Sequence, residues 1–197
     1  MQIHRDWTGL KAEARGATVA MGNFDGVHLG HRSVIDEAGR HGPLGVLTFE
    51  PHPREYFAPD APPFRLMNSE ARANRLAKLG VTHLYELPFG SEMATLTPED
   101  FATEVLARGL GVAHVTVGTD FCFGRGRKGT VADLQKMGEA LGFGVTIAPL
   151  LRAGGKEVSS TAIRNALSEG RPRDAASMLG HLHRIEGAVI PGEKRGR

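Results

Sequence analysis

Two histidines three residues apart follow a glycine-rich turn in the segment from Met21 to His31. His28 and His31 flank Gly30. Backbone N–H groups at the start of a helix, and the positive end of its dipole, bind phosphate. Imidazoles can donate hydrogen bonds to a triphosphate and to charge that grows on a leaving group. Because Gly30 has no side chain, a nucleobase or ribose could lie against its backbone. The segment therefore indicates phosphate binding with electrostatic catalysis.

Two simpler interpretations of this pair are an ordinary core or surface site and a metal site. A structural zinc site uses four ligands, and no cluster of Cys or His elsewhere in the sequence supplies the others. No metal ligand is therefore predicted. The order of strand, glycine-rich turn, two histidines and helix favours a functional role for His28 and His31.

A second segment, Ser159-Ser160-Thr161 followed by Arg164, is typical of a helix start. Ser159 or Ser160 is a suitable N-cap. A helical side chain leans towards the N-terminus, so Arg164 could reach an anion held there. The alternative is a capped helix with one exposed arginine.

A third segment combines prolines with aromatic residues. Pro51 and Pro53 stiffen the chain after an apolar run, and Tyr56, Phe57 and Phe64 provide flat apolar surfaces. The pattern favours a planar aromatic ligand, although such aromatics could instead anchor the loop to the core.

A fourth segment, Val117–Gly129, contains glycines that match G-x-G-x-x-G. The match follows the fourth predicted strand rather than the first and has basic neighbours, which argues against a dinucleotide motif. A loop whose Arg125, Arg127 and Lys128 meet phosphates and a solvated basic loop are both compatible with it.

Five short apolar segments alternate with helix-like segments and would position these motifs. The predicted strands are Ala17–Met21, Gly45–Phe49, His83–Leu87, His114–Gly118 and Gly144–Ala148. The predicted helices between them are Gly30–Arg40, Ser69–Leu79, Pro98–Arg108 and Val131–Leu141. This alternation predicts an α/β fold, a parallel five-stranded sheet with helices on both faces. Ligands of such sheets bind at the carboxyl ends of the strands.

Composition excludes several classes of protein. The 197 residues suit one domain, and 24 Lys and Arg against 22 Asp and Glu give a net charge of +2, too small to indicate nucleic acid. Arg171, Arg173 and the basic tail 194–197 are too few to change this. No apolar run reaches the roughly 20 residues of a membrane span. With one cysteine, Cys122, and no signal-like N-terminus, we expect a cytoplasmic protein.

The C-terminal part has a different pattern. Ser160–Glu169 and Arg173–Leu179 are predicted helices, and His183–Ile190 is a predicted strand followed by a basic turn. One strand cannot form a domain of its own. We therefore divide the chain into a domain at 1–182 and the beginning of another at 183–197.

Together these segments resemble the bacterial FAD synthetase family, the bifunctional riboflavin kinase/FMN adenylyltransferases. Gly22–His31 is similar to the family's first nucleotide-binding motif and contains H-x-G-H, which marks the wider nucleotidyltransferase superfamily. Ser159–Arg164 resembles its S-S-T-x-x-R motif, and Phe49–Pro53 and Val117–Phe121 also match. The E-P-H-P segment and the order of the four motifs point to the FAD-forming branch.

The resemblance implies a Rossmann-like nucleotidyltransferase fold and a reaction in which the phosphate of FMN attacks the α-phosphorus of Mg-ATP, giving FAD and pyrophosphate. It implies catalytic roles for His28, His31 and Arg164. It also implies ATP contacts and flavin contacts. The ATP contacts are Asn23, Phe24, Gly30, Asp120, Ser159, Ser160 and Thr161; the flavin contacts are Pro51, Pro53, Tyr56 and Phe57. Mg²⁺ would be held mainly by ATP oxygens and water.

The same resemblance assigns 1–182 to the adenylyltransferase and 183–197 to the first strand of a riboflavin kinase barrel. The rest of that barrel, including its P-T-A-N motif, is not in this sequence. We therefore expect a C-terminal kinase domain as a missing partner and no kinase activity from this chain. Two alternatives are a related transferase with another acceptor, such as nicotinamide mononucleotide or phosphopantetheine, and a non-catalytic flavin- or nucleotide-binding module.

Overall fold

A six-stranded, fully parallel sheet forms the centre of the computed structural model, which describes residues 1–149, 151–153, 156–187, 189 and 192. The strands are β1 (Gln2–His4), β2 (Thr18–Met21), β3 (Leu44–Glu50), β4 (His83–Pro88), β5 (His114–Gly118) and β6 (Gly144–Ala148). Their order across the sheet is β1-β4-β3-β2-β5-β6. After β2, the strands β3 and β4 are added in turn on one side of it. The chain then crosses to the other side of β2, where β5 and β6 follow. The strand order therefore reverses between β2 and β5, where open α/β sheets bind ligands.

Helices cover both faces of this sheet. They are α1 (Leu29–Ala38), α2 (Pro53–Phe57), α3 (Ser69–Lys78), α4 (Ser91–Thr95), α5 (Pro98–Asp100, continued as a π-helix over Phe101–Leu110), α6 (Val131–Leu141), α7 (Ser160–Ser168) and α8 (Pro172–Leu179). A small antiparallel hairpin, β7 (Arg152–Ala153) and β8 (Lys156–Glu157), precedes α7. The fold class predicted from the sequence is confirmed.

Two hydrophobic clusters pack on opposite faces of the sheet. Successive side chains of a strand point to opposite faces, and β2 is fully buried. Val19 and Met21 belong to a cluster that includes apolar residues of α5 and α6. Ala20 belongs to the other cluster, with residues of α1 and α3. This packing fixes the carboxyl end of β2, where the first motif begins.

The predicted number of five strands was wrong, because β1 adds a sixth at the edge. Gln2, Ile3 and His4 pair with His83, Leu84 and Tyr85 of β4. The segment is only three residues long and mostly exposed, so its pairing depends on backbone hydrogen bonds. A periodicity argument has no apolar run to detect there. The other five strands match the predicted segments within one residue at each end.

Helix boundaries differ slightly from the predicted ones. The Pro98 helix continues to Leu110 rather than Arg108 and ends at Gly111, whose φ of 57° is left-handed. Glycine adopts this conformation without steric strain, which is why it terminates helices. The two C-terminal helices are confirmed as Ser160–Ser168 and Pro172–Leu179.

The predicted strand His183–Ile190 was wrong for its described residues, because 183–187 and 189 belong to no strand. Instead, Nε2 of His183 donates a hydrogen bond to the Leu66 carbonyl over 3.2 Å. Residues 188, 190, 191 and 193–197 lie outside the described part of the chain. Within the described part, no helix combines the length and the apolar character needed to cross a bilayer.

Candidate active site

The loop after β2 is a constrained backbone segment at the reversal point of the sheet. Phe24 and Val27 have φ values of 50° and 40°, which non-glycine residues seldom adopt. The Thr48 hydroxyl donates to the Asn23 carbonyl at 3.2 Å, and the Ser160 hydroxyl donates to the Asp25 carbonyl at 2.8 Å. Such backbone strain persists where surrounding contacts enforce it, and it concentrates at functional sites.

His28 and His31 lie together at the start of α1, as the sequence predicted. Their rings stack with centroids 3.6 Å apart. His28 is the N-cap of the helix, and its Nδ1 accepts a hydrogen bond from the backbone N–H of His31 at 3.1 Å. In a neutral imidazole the proton must then be on Nε2. His28 therefore offers one hydrogen-bond donor, Nε2–H.

Burial keeps both histidines neutral in the folded protein. It lowers the pKa of His28 to about 4, and the nearby Arg164 guanidinium adds to the effect. Burial also lowers the pKa of His31 well below its usual value, with smaller contributions from His28 and Arg164. Nδ1 of His31 is buried and has no hydrogen-bond partner among the described residues. Buried polar atoms without a partner are uncommon in folded proteins.

A cleft of about 250 Å³ opens beside these histidines. It is bordered by the loop after β2, the start of α1, the ends of β5 and β6, and the start of α7. Seven of the predicted site residues line it: Phe24, His28, Gly30, His31, Asp120, Ser159 and Ser160. A Cβ on Gly30 would come within 3.2 Å of the His28 ring and of the Val158 carbonyl. The glycine thus permits the segment before α7 to close over the start of α1.

Arg164 lies in a different arrangement from the one expected for a residue that reaches phosphate. Its Nη2 donates to Oδ2 of Asp25 at 2.6 Å, and its Nε donates to the Phe64 carbonyl at 2.8 Å. The other oxygen of Asp25 accepts from the backbone N–H of Leu66 at 2.9 Å. Asp25, which sequence reasoning did not single out, is 3% exposed. This pair joins three motifs: the loop after β2, the S-S-T-x-x-R helix and the proline–aromatic segment.

The remaining hydroxyls of the serine motif have different positions. Ser159 is the N-cap of α7 and accepts a hydrogen bond from the Ala162 N–H at 3.2 Å. Thr161 is exposed and does not line the cleft. Sequence reasoning placed the three hydroxyls together on one ligand, whereas the folded chain already uses the first two to organise the backbone.

A larger cleft, of about 650 Å³, adjoins the first. Six phenylalanines line it: Phe49, Phe57, Phe89, Phe101, Phe121 and Phe123. Pro53 and Phe57 of the predicted flavin contacts line it, as does Asn23. Pro51 and Tyr56 do not, but the Tyr56 ring packs edge-on against Phe57 and Phe89 at 5.1 and 5.5 Å. Phe57 is 66% exposed and presents an apolar surface to the solvent.

The two clefts meet at three shared residues, Gly22, Asp120 and Phe121. Gly22 follows β2, and the other two follow β5, so the junction lies where the strand order reverses. Asp120 is the one acid among the described residues that line either cleft. The arrangement can hold a phosphorylated ligand on one side and a planar aromatic ligand on the other.

Sequence reasoning missed a cluster of charges around two buried residues, Arg72 and Glu86. Arg72 of α3, 3% exposed, donates to Glu50 at 2.9 Å and to Glu86 at 3.0 Å. Arg65 donates to Glu50 at 2.9 Å and to Glu55 at 2.7 Å. The cluster ties the ends of β3 and β4 to α2 and α3. The only sign of this cluster in the sequence was Arg72, a charged residue on the apolar side of α3.

The fold and the paired clefts define a Rossmann-like nucleotide-binding protein of the nucleotidyltransferase type. The model of the FAD synthetase family matches residues 10–162, and the chain belongs to that family. It is 40% identical over 192 residues to a bifunctional riboflavin kinase/FMN adenylyltransferase from Escherichia coli strain K12, covering 95% of this chain and 61% of the relative. It is 34% identical to an FAD synthetase from Listeria monocytogenes, covering 100% of this chain and 81% of the relative.

Solved structures agree on the fold. A macrolide-efflux protein from Streptococcus pneumoniae superimposes with a TM-score of 0.78 at 26% identity, over 91% of this chain and 61% of that one. A pantoate-beta-alanine ligase from Francisella tularensis gives 0.53 at 16% identity, over 96% and 90% of the two chains. The chain that we describe thus spans 61% of the length of the bifunctional relative from Escherichia coli.

Proposed function

We propose that this chain transfers AMP from ATP to the phosphate of FMN, forming FAD and releasing pyrophosphate. One observation carries the proposal: the histidine-lined cleft and the aromatic cleft share Gly22, Asp120 and Phe121. A triphosphate in the first and a flavin in the second would bring their phosphates together at that junction. Family membership and the names of the relatives, riboflavin kinase/FMN adenylyltransferase and FAD synthetase, support the same reaction.

In the proposed step, an oxygen of the FMN phosphate attacks the α-phosphorus of ATP. The bond from that phosphorus to the oxygen shared with the β-phosphate breaks, and pyrophosphate leaves with the electron pair. No nucleophile from the protein is required, so catalysis consists of positioning and charge stabilisation. His28 would donate from Nε2 to a phosphate oxygen, and the negative triphosphate would raise the pKa of both histidines towards the charged form.

Other residues would hold the substrates. Asn23 and the N–H of Phe24 would contact the α-phosphate, and Gly30 and Asp120 would border the nucleotide. Ser159, Ser160, Thr161 and Arg164 would contact the β- and γ-phosphates, with Arg164 exchanging Asp25 for phosphate. Pro51, Pro53, Tyr56 and Phe57 would border the flavin ring. Aromatic and proline surfaces fit such a planar ligand.

Mg²⁺ would accompany ATP and neutralise part of the triphosphate charge. The described residues contain no group of three or more His, Cys, Asp or Glu that could hold a metal. Mg²⁺ commonly uses one or two carboxylates together with substrate phosphates and water. Asp120 is the carboxylate available at the junction of the clefts. The proposal needs no further metal ligand from the protein.

The proposal also covers the domain that accompanies this one, the cellular compartment and the partners. We propose that a riboflavin kinase domain accompanies this domain, beginning at 183–197, in line with the names of the bifunctional relatives. We also propose that the protein acts in the cytoplasm on small molecules rather than on nucleic acid or membranes. We expect no phosphorylation of riboflavin by this chain, since the P-T-A-N motif is not in its sequence.

A coupled assay of pyrophosphate release tests the proposal. Purified chain and Mg-ATP are combined with FMN, riboflavin, nicotinamide mononucleotide, phosphopantetheine or no acceptor, and flavin products are separated by chromatography. Pyrophosphate that depends on FMN, together with FAD, is the expected result. Release with another acceptor would reassign the substrate. If chain that is shown to be folded releases no pyrophosphate with any acceptor, the transferase proposal is refuted and the alternative of a binding module remains.

A further inference from the structure

A third cleft, of about 180 Å³, lies between α3 and the segment 181–187. It shares no lining residue with the two clefts of the candidate active site. Arg75 and Lys78 of α3 face it from one side, and His181, His183 and Arg184 from the other. Gly26 and Leu66 contribute part of the remaining wall. The volume of the cleft is several times the volume that one water molecule occupies in liquid water, about 30 Å³.

Positive charge in this cleft exceeds negative charge. Arg75, Lys78 and Arg184 form no ion pair with any described residue. Glu186 is the one acid among the described residues that line the cleft. Nε of Arg75 is buried and has no hydrogen-bond partner in the described structure. Cationic side chains that line a cleft without a counter-charge can form charge-assisted hydrogen bonds with an anion bound there.

The two histidines also present donors. Nε2 of His181 lies 3.1 Å from the Gly26 carbonyl oxygen, and its Nδ1 lies 2.9 Å from the carbonyl oxygen of Leu182. Carbonyl oxygens only accept, so whichever ring nitrogen of His181 carries a proton donates it to one of these two carbonyls. Nε2 of His183 donates to the Leu66 carbonyl.

We propose that this cleft is an anion site for a phosphoryl group, held by Arg75, Lys78 and Arg184. Guanidinium and ammonium groups around a concave site are the usual ligands of phosphate, and charge-assisted hydrogen bonds to it are the strong ones. The volume admits the phosphoryl group with a small organic remainder. The shared chemistry is thus a phosphate dianion, either free or as a small phosphate monoester.

The site connects to the candidate active site through the backbone. His181 and His183 hold the carbonyls of Gly26 and Leu66, and the N–H of Leu66 donates to Asp25. Asp25 in turn holds Arg164. An occupant of the third cleft would therefore lie against the segment that positions the Asp25–Arg164 pair.

Titration by NMR, without ATP or FMN, tests the proposal. Inorganic phosphate and ribose 5-phosphate are added separately while the ring signals of His181, His183, His28 and His31 are followed. We expect saturable shifts of the His181 and His183 signals. If ribose 5-phosphate binds more tightly than inorganic phosphate, the site recognises a phosphate monoester. If the two bind equally, it recognises the phosphoryl group alone.

Variants with matched charge make the test specific. R75Q/K78Q should weaken phosphate binding at His181 and His183 by about tenfold or more, as loss of about 1.4 kcal/mol or more requires. K11Q/K136Q, which changes two lysines that do not line the cleft, should not. If the paired variant fails to fold, R184Q replaces it in the test. Arg184 lies in a segment outside the core, and its substitution should also weaken phosphate binding. Shifts confined to the His28 and His31 signals, or equal phosphate binding by all variants, would refute the anion site. Neither result would bear on the AMP-transfer assay, so the two proposals can fail separately.

Discussion

Arg164 and Asp25 form a short ion pair, Nη2 to Oδ2 at 2.6 Å, that joins residues 139 positions apart in the chain. The Asp25 carboxylate also accepts N–H groups from Leu66 and Met67, and Arg164 also binds the Phe64 carbonyl. One contact therefore fixes the loop after β2, the start of α7 and the end of the proline–aromatic segment. In the structure this pair holds the three segments together, and Arg164 would have to leave Asp25 to reach a phosphate.

Replacing Asp25 by Ala should destabilise the chain by about 3 kcal/mol, because it leaves the Arg164 guanidinium and two backbone N–H groups without their acceptor. Urea unfolding measures the change. Arg40→Ala, which removes an exposed pair with Glu37, is the control and should stay within about 0.5 kcal/mol. Equal effects of the two substitutions would mean that the Asp25 pair does not organise the loop.

His28→Asn should reduce the turnover of AMP transfer by about 10² to 10³ while preserving the fold. Asn keeps a side-chain acceptor for the helix start but lacks the Nε2–H donor. His41→Ala, which removes a ring stacked on His114 away from the clefts, is the control. Turnover of His28→Asn within a factor of about two of the unchanged chain would remove His28 from the mechanism.

Stability should rise with pH between about 4 and 6.5 because of His28. Burial lowers its pKa from 6.5 to about 4, so in this window the unfolded chain binds more protons than the folded chain. The contribution of neutral His28 is fully present above pH 6.5 and is lost as pH falls towards 4. It is of the order of 3 kcal/mol at most.

The measurement is the free energy of unfolding at about pH 5 and about pH 7, on either side of the ordinary histidine pKa, compared between the unchanged chain and His28→Asn. Carboxylates titrate in both, so the difference isolates the histidine. The variant should lose less stability on acidification. An identical pH dependence would show that His28 is not buried in its neutral form.

Phe57→Ala should raise the KM for FMN by about tenfold and leave the KM for ATP unchanged. The exposed Phe57 ring borders the aromatic cleft, and aromatic contacts of this kind contribute about 1 kcal/mol beyond the area they bury. Leu141→Ala, an exposed apolar residue on α6, is the control. An equal rise for both substrates would place Phe57 outside a dedicated flavin site.

Arg72→Met should cost about 3 kcal/mol of unfolding free energy by leaving buried Glu86 with only its longer contact to exposed Arg5. Combining it with Glu86→Gln should recover part of the loss, because the unpaired charge is then gone. Urea unfolding of the single and double variants measures this. Additive losses in the double variant would contradict a coupled pair.

Local patterns in the sequence predicted most of the fold. The strands β2 to β5 are largely buried and β6 is partly buried, and all five are apolar runs bounded by turn residues, so periodicity and length suffice to find them. β1 has neither property, since Gln2 and Ile3 are exposed and the strand is held by backbone pairing with β4. The described residues of the strand predicted from His183, 183–187 and 189, belong to no strand, because an apolar alternation forms one only when a neighbouring edge pairs with it.

The candidate site was predictable where one segment carried the signal and not where distant segments meet. His28 and His31 lie on one helical turn, so their spacing predicted their contact. The Asp25–Arg164 pair and the Arg72 cluster join side chains that only the tertiary fold brings together. Phe89 and Phe101 likewise reach the aromatic cleft from elements with no motif of their own.

ATP labelled in its α-phosphate tests the central claim most directly. With the chain, Mg²⁺ and FMN, the label should appear in FAD, whereas a label in the γ-phosphate should appear only in pyrophosphate. His28→Asn should slow both together. Label from the γ-phosphate on a flavin, or no transfer of α-label to FMN by folded chain, would contradict an adenylyltransferase built on the junction of the two clefts.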